Sequence, residues 1–178
     1  ERAVLARRDV ETVGIIGCGG QARYQLEALL GVRRPRRVIV YGRSGERAAR
    51  YAREMSERFG LPVDVADSAQ QAVESSDIVI TTTPSREQLV RAGWLRAGTH
   101  VTAMGSDGPD KRELESAALA KADKLVADQL EQCLRLGDIH HAVAEGLLDP
   151  VRIYAELGEL AAGGKPGRTS DTEITIAD

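Results

Sequence analysis

Short apolar runs recur along the chain: "TVGIIG" (12–17), "RVIVY" (37–41), "DIVITT" (77–82), "HVTAM" (100–104) and "KLVAD" (124–128), with "PVDVA" (62–66) a weaker member. They are rich in Val and Ile and bounded by Gly, Pro, Asp or Ser, which marks them as buried strands. Helical patterns lie between them. "QARYQLEALLG" ends on Gly31, a plausible C-cap. "SGERAARYAREMSERFG" starts on Ser44, a good N-cap, and ends on Gly60. "DSAQQAVESS" and "ELESAALAKA" follow the same logic. Strand and helix alternate through the first two thirds, the pattern of parallel strands joined by right-handed crossovers. The strands are nearly continuous apolar runs, so both sheet faces must be covered. The expected class is α/β, a doubly wound, mostly parallel sheet with helices on both faces. In the last third, "LEQCLRLGDIHHAVAEGLL" and "DPVRIYAELGELAAGGK" read as helical, and a polar "PGRTSD" leads to a late strand, "TEITIA".

The chain has 178 residues, enough for one domain with a hydrophobic core. A net charge of -3 lacks the basic excess of a general nucleic-acid binder. The arginines at 33, 34, 36 and 37 read as a solvated turn. No apolar stretch is long enough to span a bilayer, and "ERAVLARRDVE" lacks a signal-peptide core. Cys18 and Cys133 form neither a disulfide framework nor a zinc site, so a reducing, cytoplasmic setting is expected and no metal.

Gly17, Gly19 and Ala22 form G-x-G-x-x-A between a strand and a helix. Gly17 permits the tight turn, Gly19 lets a pyrophosphate approach the backbone, and Ala22 keeps helix and strand close. The helix N-terminus then offers N–H groups and a positive dipole end to phosphates. The end of the second strand reads "YGRSGER", with no acid at Gly42 or Arg43 to bind ribose hydroxyls. Arg43, Ser44 and Arg47 suit a 2′-phosphate instead, so NAD(P) is expected with NADP(H) favoured over NAD(H).

Ligands of doubly wound sheets lie beyond the carboxyl ends of the strands. Two further strand ends are informative there. "TTTPSRE" (81–87) makes a polar loop. "TAMGSDGPDKREL" (102–114) places Asp107 either in the crevice or as a turn residue before "PDKREL". Lys111 stands near an expected helix start and calls for an anionic partner, a phosphate or Asp107 itself. His140 and His141, adjacent on a helix, diverge and suit surface or partner contact. "GRTSD" (167–171) is a polar loop expected to return to the cofactor crevice.

Together "VGIIGCGGQA", "TTTPSRE", "HVTAMGSDGPDKREL", "DIHHAVAEG" and "GRTSDTEITIAD" resemble the ornithine cyclodeaminase/mu-crystallin family over nearly the whole chain, with "TAMGSDGP" and "HHA" most similar to cyclodeaminase-like proteins of ectoine utilisation. The resemblance implies a Rossmann domain over 12–178, with 1–11 the tail of an interdomain helix. It implies a separate domain, without counterpart here, that holds the substrate carboxylate and builds a homodimer. It carries Gly20 and Gln21 over as pyrophosphate contacts, and Thr82, Thr83 and Pro84 as the loop touching the cofactor. Met104 and Gly105 fall on the nicotinamide side, Asp107 is the catalytic acid/base, and Lys111 and Ser170 lie near the cofactor. The implied activity is hydride transfer on a small amino acid or imine with ammonia loss. A ketimine reductase, an alanine dehydrogenase and a non-catalytic NADPH-regulated binder are the alternatives. "GRS" at 42–44 is closer to the NADPH-binding "NRT" of mu-crystallin than to the acid that favours NAD.

Overall fold

The computed structural model describes residues 2–178, with side chains from Val4 onward. Glu1, the first residue of the expected interdomain segment, lies outside the described residues. Eight strands form one sheet: β1 (Thr12–Ile16), β2 (Arg37–Tyr41), β3 (Val63–Val65), β4 (Ile78–Thr81), β5 (His100–Ala103), β6 (Lys124–Ala127), β7 (Ile153–Glu156) and β8 (Thr175–Ala177). All pairings are parallel, in the order β3-β2-β1-β4-β5-β8-β6-β7. The order reverses between β1 and β4, the switch point at which α/β sheets bind ligands.

Alternation along the strands supplies the two faces. Val13, Ile15, Val38, Val40, Ile78 and Ile80 pack in one cluster with Leu26, Leu29, Tyr51 and Met55 of helices α2 (Gly20–Leu30) and α3 (Gly45–Phe59). Ile16, Ile39, Val79, Val101, Leu125 and Ile176 point the other way. They meet α4 (Ala69–Glu74), α5 (Ser116–Lys121) and α7 (Gly137–Ala144). These central strands are apolar on both sides because both sides are covered. A smaller cluster joins Leu5 of α1 (Arg2–Leu5) to Val126, Ala155, Ala177 and Leu160 of α8 (Leu157–Ala161).

The caps agree with the sequence at α3, where Ser44 accepts from the Arg47 amide and Gly60 takes a left-handed φ of 62°. Gly31 differs: it ends α2 in a right-handed conformation, φ -68°. Two stretches of the last third depart from the helical reading. Residues Ile153–Glu156 form β7 at the sheet edge, where two β-branched or aromatic residues outweigh the helix formers around them. The segment 130–148 breaks at Gly137, φ 85°, into α6 (Leu130–Cys133) and α7. Among the described residues no helix is long and apolar enough to cross a membrane.

Candidate cofactor and catalytic site

Strand register sets the site. Tyr41 pairs with Ile16, Ile16 with Thr81, and Thr81 with Ala103. The segments that follow, Gly42–Ser44, Gly17–Ala22, Thr82–Pro84 and Met104–Asp107, therefore leave the same carboxyl edge in a row. Three steps of about 4.8 Å give that row a span of about 14 Å.

Gly17 has φ 113°, and a Cβ there would lie 2.7 Å from Thr82 Oγ1. Its amide donates to Tyr41 O at 2.8 Å, so the turn is locked to both neighbouring strands. Gly19 and Gly20 differ: a Cβ at either would meet nothing within 4 Å. That open space is where a bound group would come against the backbone. Gly19 caps α2 with no side-chain hydrogen bond, leaving the first amides of an 11-residue helix for an anion. Gln21 is exposed beside them, and Ala22 is fully buried against the sheet. Arg23, which sequence reasoning missed, donates to Gly19 O at 2.9 Å and Cys18 O at 3.3 Å and is ion-paired with Glu54. It ties the loop carbonyls to α3 through Glu54.

The end of β2 carries no carboxylate. A Cβ at Gly42 would stand 2.8 Å from Cys18 Sγ, so the thiol of the glycine loop occupies the space that a longer residue there would need. Arg43 and Arg47 are exposed. Ser44 is committed to its helix, accepting from the Arg47 amide at 3.3 Å.

At the other end of the row Met104 is 44% exposed. It borders a cavity of about 300 Å³ lined also by Ser106, Asp107, Cys133, Leu157 and Asp178. Asp107 is exposed and forms a direct ion pair with Lys111. The Lys111 hydrogen bond holds the Asp107 carboxyl below the usual carboxylate range. Of the two partners expected for Lys111, the structure supplies Asp107. Lys111 lies in a loop, not at a helix start; the next helix begins at Ser116. His141 Nε2 fixes that loop by bonding Lys111 O at 3.0 Å, and His140 Nδ1 bonds Leu134 O at 3.0 Å. Both histidines are half-buried and bonded to backbone carbonyls.

Thr82 and Thr83 are half-buried and Pro84 is exposed. Thr83 meets a residue that sequence reasoning missed, Glu113, whose carboxylate accepts from Thr83 N at 2.5 Å, Thr83 Oγ1 at 2.7 Å, Thr81 Oγ1 at 2.6 Å and Gly105 N at 2.8 Å. Asp138, also buried, accepts from the amides of Glu113 and Leu114 at 2.8 and 2.9 Å. Burial is the first cause that pushes both carboxyls up.

Ser170 is a correction. It precedes β8, which runs parallel to β5, so the loop 167–171 sits at the amino edge of the sheet, opposite the glycine loop. Arg168 anchors it there, donating to Leu5 O at 2.7 Å and Thr175 Oγ1 at 3.0 Å. Ser170 Oγ contacts Thr172 Oγ1 at 2.9 Å. Strand direction, which a loop's composition does not encode, decides the matter.

The comparisons with known proteins agree with this fold. An uncharacterized cyclodeaminase of Sinorhizobium fredii is 44% identical over 174 residues, 98% of this chain and 53% of that protein. The Delta(1)-pyrroline-2-carboxylate reductase of Thermococcus litoralis, solved in complex with NADH and L-proline, superposes with a TM-score of 0.96 at 42% identity, covering 99% of this chain and 55% of that one. An archaeal alanine dehydrogenase dimer with bound NAD gives a TM-score of 0.94 at 42% identity, covering 99% and 54%. The chain thus spans about half the length of these relatives. The family model for ornithine cyclodeaminase/mu-crystallin matches residues 3–178, and the chain belongs to that family.

Proposed function

We propose that this chain is the nicotinamide-dinucleotide-binding part of an enzyme that interconverts a small amino acid and its imine. The observation that carries the reading is the row of loops along one sheet edge, from an open, side-chain-free cradle at Gly19 to an exposed carboxylate at Asp107. Two structural neighbours, a pyrroline-carboxylate reductase and an alanine dehydrogenase, hold NADH or NAD. In this reading 12–178 is the dinucleotide-binding domain and 1–11 the segment joining it to a second domain that completes the substrate site and a homodimer. The free thiols of Cys18 and Cys133 fit a reducing, cytoplasmic setting.

A nicotinamide cofactor, when bound, supplies a hydride acceptor and donor. The residues of the chain do the rest. Gly17, Gly19, Gly20, Gln21 and Ala22 seat the pyrophosphate on the start of α2. Thr82, Thr83, Pro84, Met104 and Gly105 border the nicotinamide side. Asp107, kept ionised by Lys111, is the base that takes a proton from the substrate ammonium and returns it to the leaving or incoming nitrogen. Arg43 and Arg47, with no acid at Gly42, favour NADP(H) over NAD(H) at the adenosine ribose.

Two outcomes divide the reaction class. A ketimine reductase consumes NAD(P)H stoichiometrically with a cyclic imino acid. A cyclodeaminase releases ammonia from ornithine or a diaminobutyrate-type diamino acid with no net change in cofactor. The likeness to a reductase that holds L-proline favours the first. Absorbance at the reduced nicotinamide band, followed with the protein at its full natural length, tests both. Tight NADPH binding with no turnover of either substrate would overturn the enzymatic reading in favour of a binder.

A further inference from the structure

Glu113 is fully buried, with no cationic partner among its hydrogen bonds. A buried carboxylate of this kind costs folding energy unless its lone pairs are filled. Here all four positions are filled by the last residue of β4 and the loops that follow β4 and β5. Oε1 takes the amide and hydroxyl of Thr83, at the end of β4. Oε2 takes the Thr81 hydroxyl and the Gly105 amide, at the end of β5. The loops are pressed together at this point: a Cβ on Gly105 would lie 2.1 Å from Thr83 O and 2.7 Å from the Glu113 carboxyl carbon. The backbone of Glu113 is itself held by Asp138. Burial raises its pKa and the four donors oppose that rise.

We infer that Glu113 is a positioning residue, setting the loops Thr82–Pro84 and Met104–Asp107 relative to each other at the nicotinamide end of the site. The inference rests on the functional reading above. An oxygen at each end of the side chain is required by hydrogen-bond direction. Each oxygen receives one backbone N–H, and a backbone N–H cannot reverse. In Glu113→Gln one end becomes NH2 and must face the Thr83 or Gly105 amide, donor against donor. One loop must then move, while the open part of the cradle at Gly19 and Gly20, where a Cβ would meet nothing within 4 Å, does not pack on either loop.

The test separates the two ends of the ligand, using calorimetry on the protein at its full natural length. ADP-ribose carries the pyrophosphate without the nicotinamide, and NADH carries both. Glu113→Gln is expected to leave the ADP-ribose affinity within about twofold and to weaken NADH about tenfold, the scale of losing a charge-assisted hydrogen bond. Unchanged NADH binding would overturn the inference. An equal loss of both ligands would also overturn it, since Glu113 would then support the fold at large. Wild-type protein that binds neither ligand would instead sink the functional reading. If Glu113→Gln fails to fold, Thr81→Val removes one hydroxyl donor at nearly constant volume. It is expected to give the same selective loss in smaller degree, and no selectivity there would overturn the inference.

Discussion

The two ends of the carboxyl edge are built by opposite means. Around β1 and β2 the site is made by omission: Gly17, Gly19, Gly20 and Gly42 carry no side chains, and the amides of α2 stay uncapped. Around β4 and β5 it is made by investment: Glu113 and Asp138, both buried, are spent on holding backbone amides. The first end costs little to fold and leaves open space beside backbone amides; the second stores electrostatic cost to hold two loops in place. Substitutions should therefore behave differently at the two ends.

The largest effect is expected at the invested end. Gly105→Ala drives a methyl group into the Thr83 backbone, which cannot swing aside as a flexible side chain would. A loss of about 3 kcal/mol in urea denaturation is expected; a loss below about 1 kcal/mol would mean that the loops are not pressed together. Next is the adenosine end. Arg43→Ala is expected to weaken NADPH about tenfold and leave NADH unchanged by calorimetry, the size of one charge-assisted contact. Equal effects on both nucleotides would remove the 2′-phosphate reading.

Asp138→Asn tests the stored cost. Asp138 Oδ2 is buried without a partner, and burial pushes the carboxyl well above its ordinary value, with nearby Asp178 adding to the rise. Asp178 is itself raised to about 6, chiefly by burial. Both folded pKa values exceed the unfolded ones, so the stabilisation from each protonated carboxyl is present at low pH and is lost as pH rises, for Asp178 through about 6. An asparagine keeps an acceptor for the Glu113 and Leu114 amides without the charge. The variant is expected within about 1 kcal/mol of wild type at neutral pH, with a flatter dependence of its melting temperature on pH. A steeper dependence would contradict the stored-cost view. The smallest effect concerns Lys111. Its hydrogen bond lowers the Asp107 pKa, so Lys111→Met raises it and shifts the acidic limb of the pH–rate profile to higher pH. An unmoved limb would dissociate Asp107 from that titration.

The same contrast explains what could be read from the chain. The omission end is local: a strand, a glycine loop and a helix lie within twenty residues, and "RVIVY" matches β2 residue for residue. The investment end is non-local. Glu113 opens "ELESAALAKA", which reads as the start of a helix, and only the fold brings it to Thr81 and Thr83, some 30 residues earlier. Asp107 was legible as an exposed carboxylate with Lys111 beside it, since four residues separate them. Ser170 was misplaced because position along a parallel sheet depends on strand direction and order. Strand β7 was missed because an edge strand only four residues long gives a weak periodic signal among helix formers.

The central claim is that the glycine loop is a dinucleotide cradle and not merely a turn. Gly19→Val tests it directly, because a Cβ there meets nothing within 4 Å and the branched side chain extends into the open side on which a dinucleotide would come. Stability should change by less than about 1 kcal/mol. NADH should bind the wild-type protein saturably, and its affinity should fall roughly 100-fold in the variant. Equal NADH affinity in both proteins would contradict the claim, as would no binding by either.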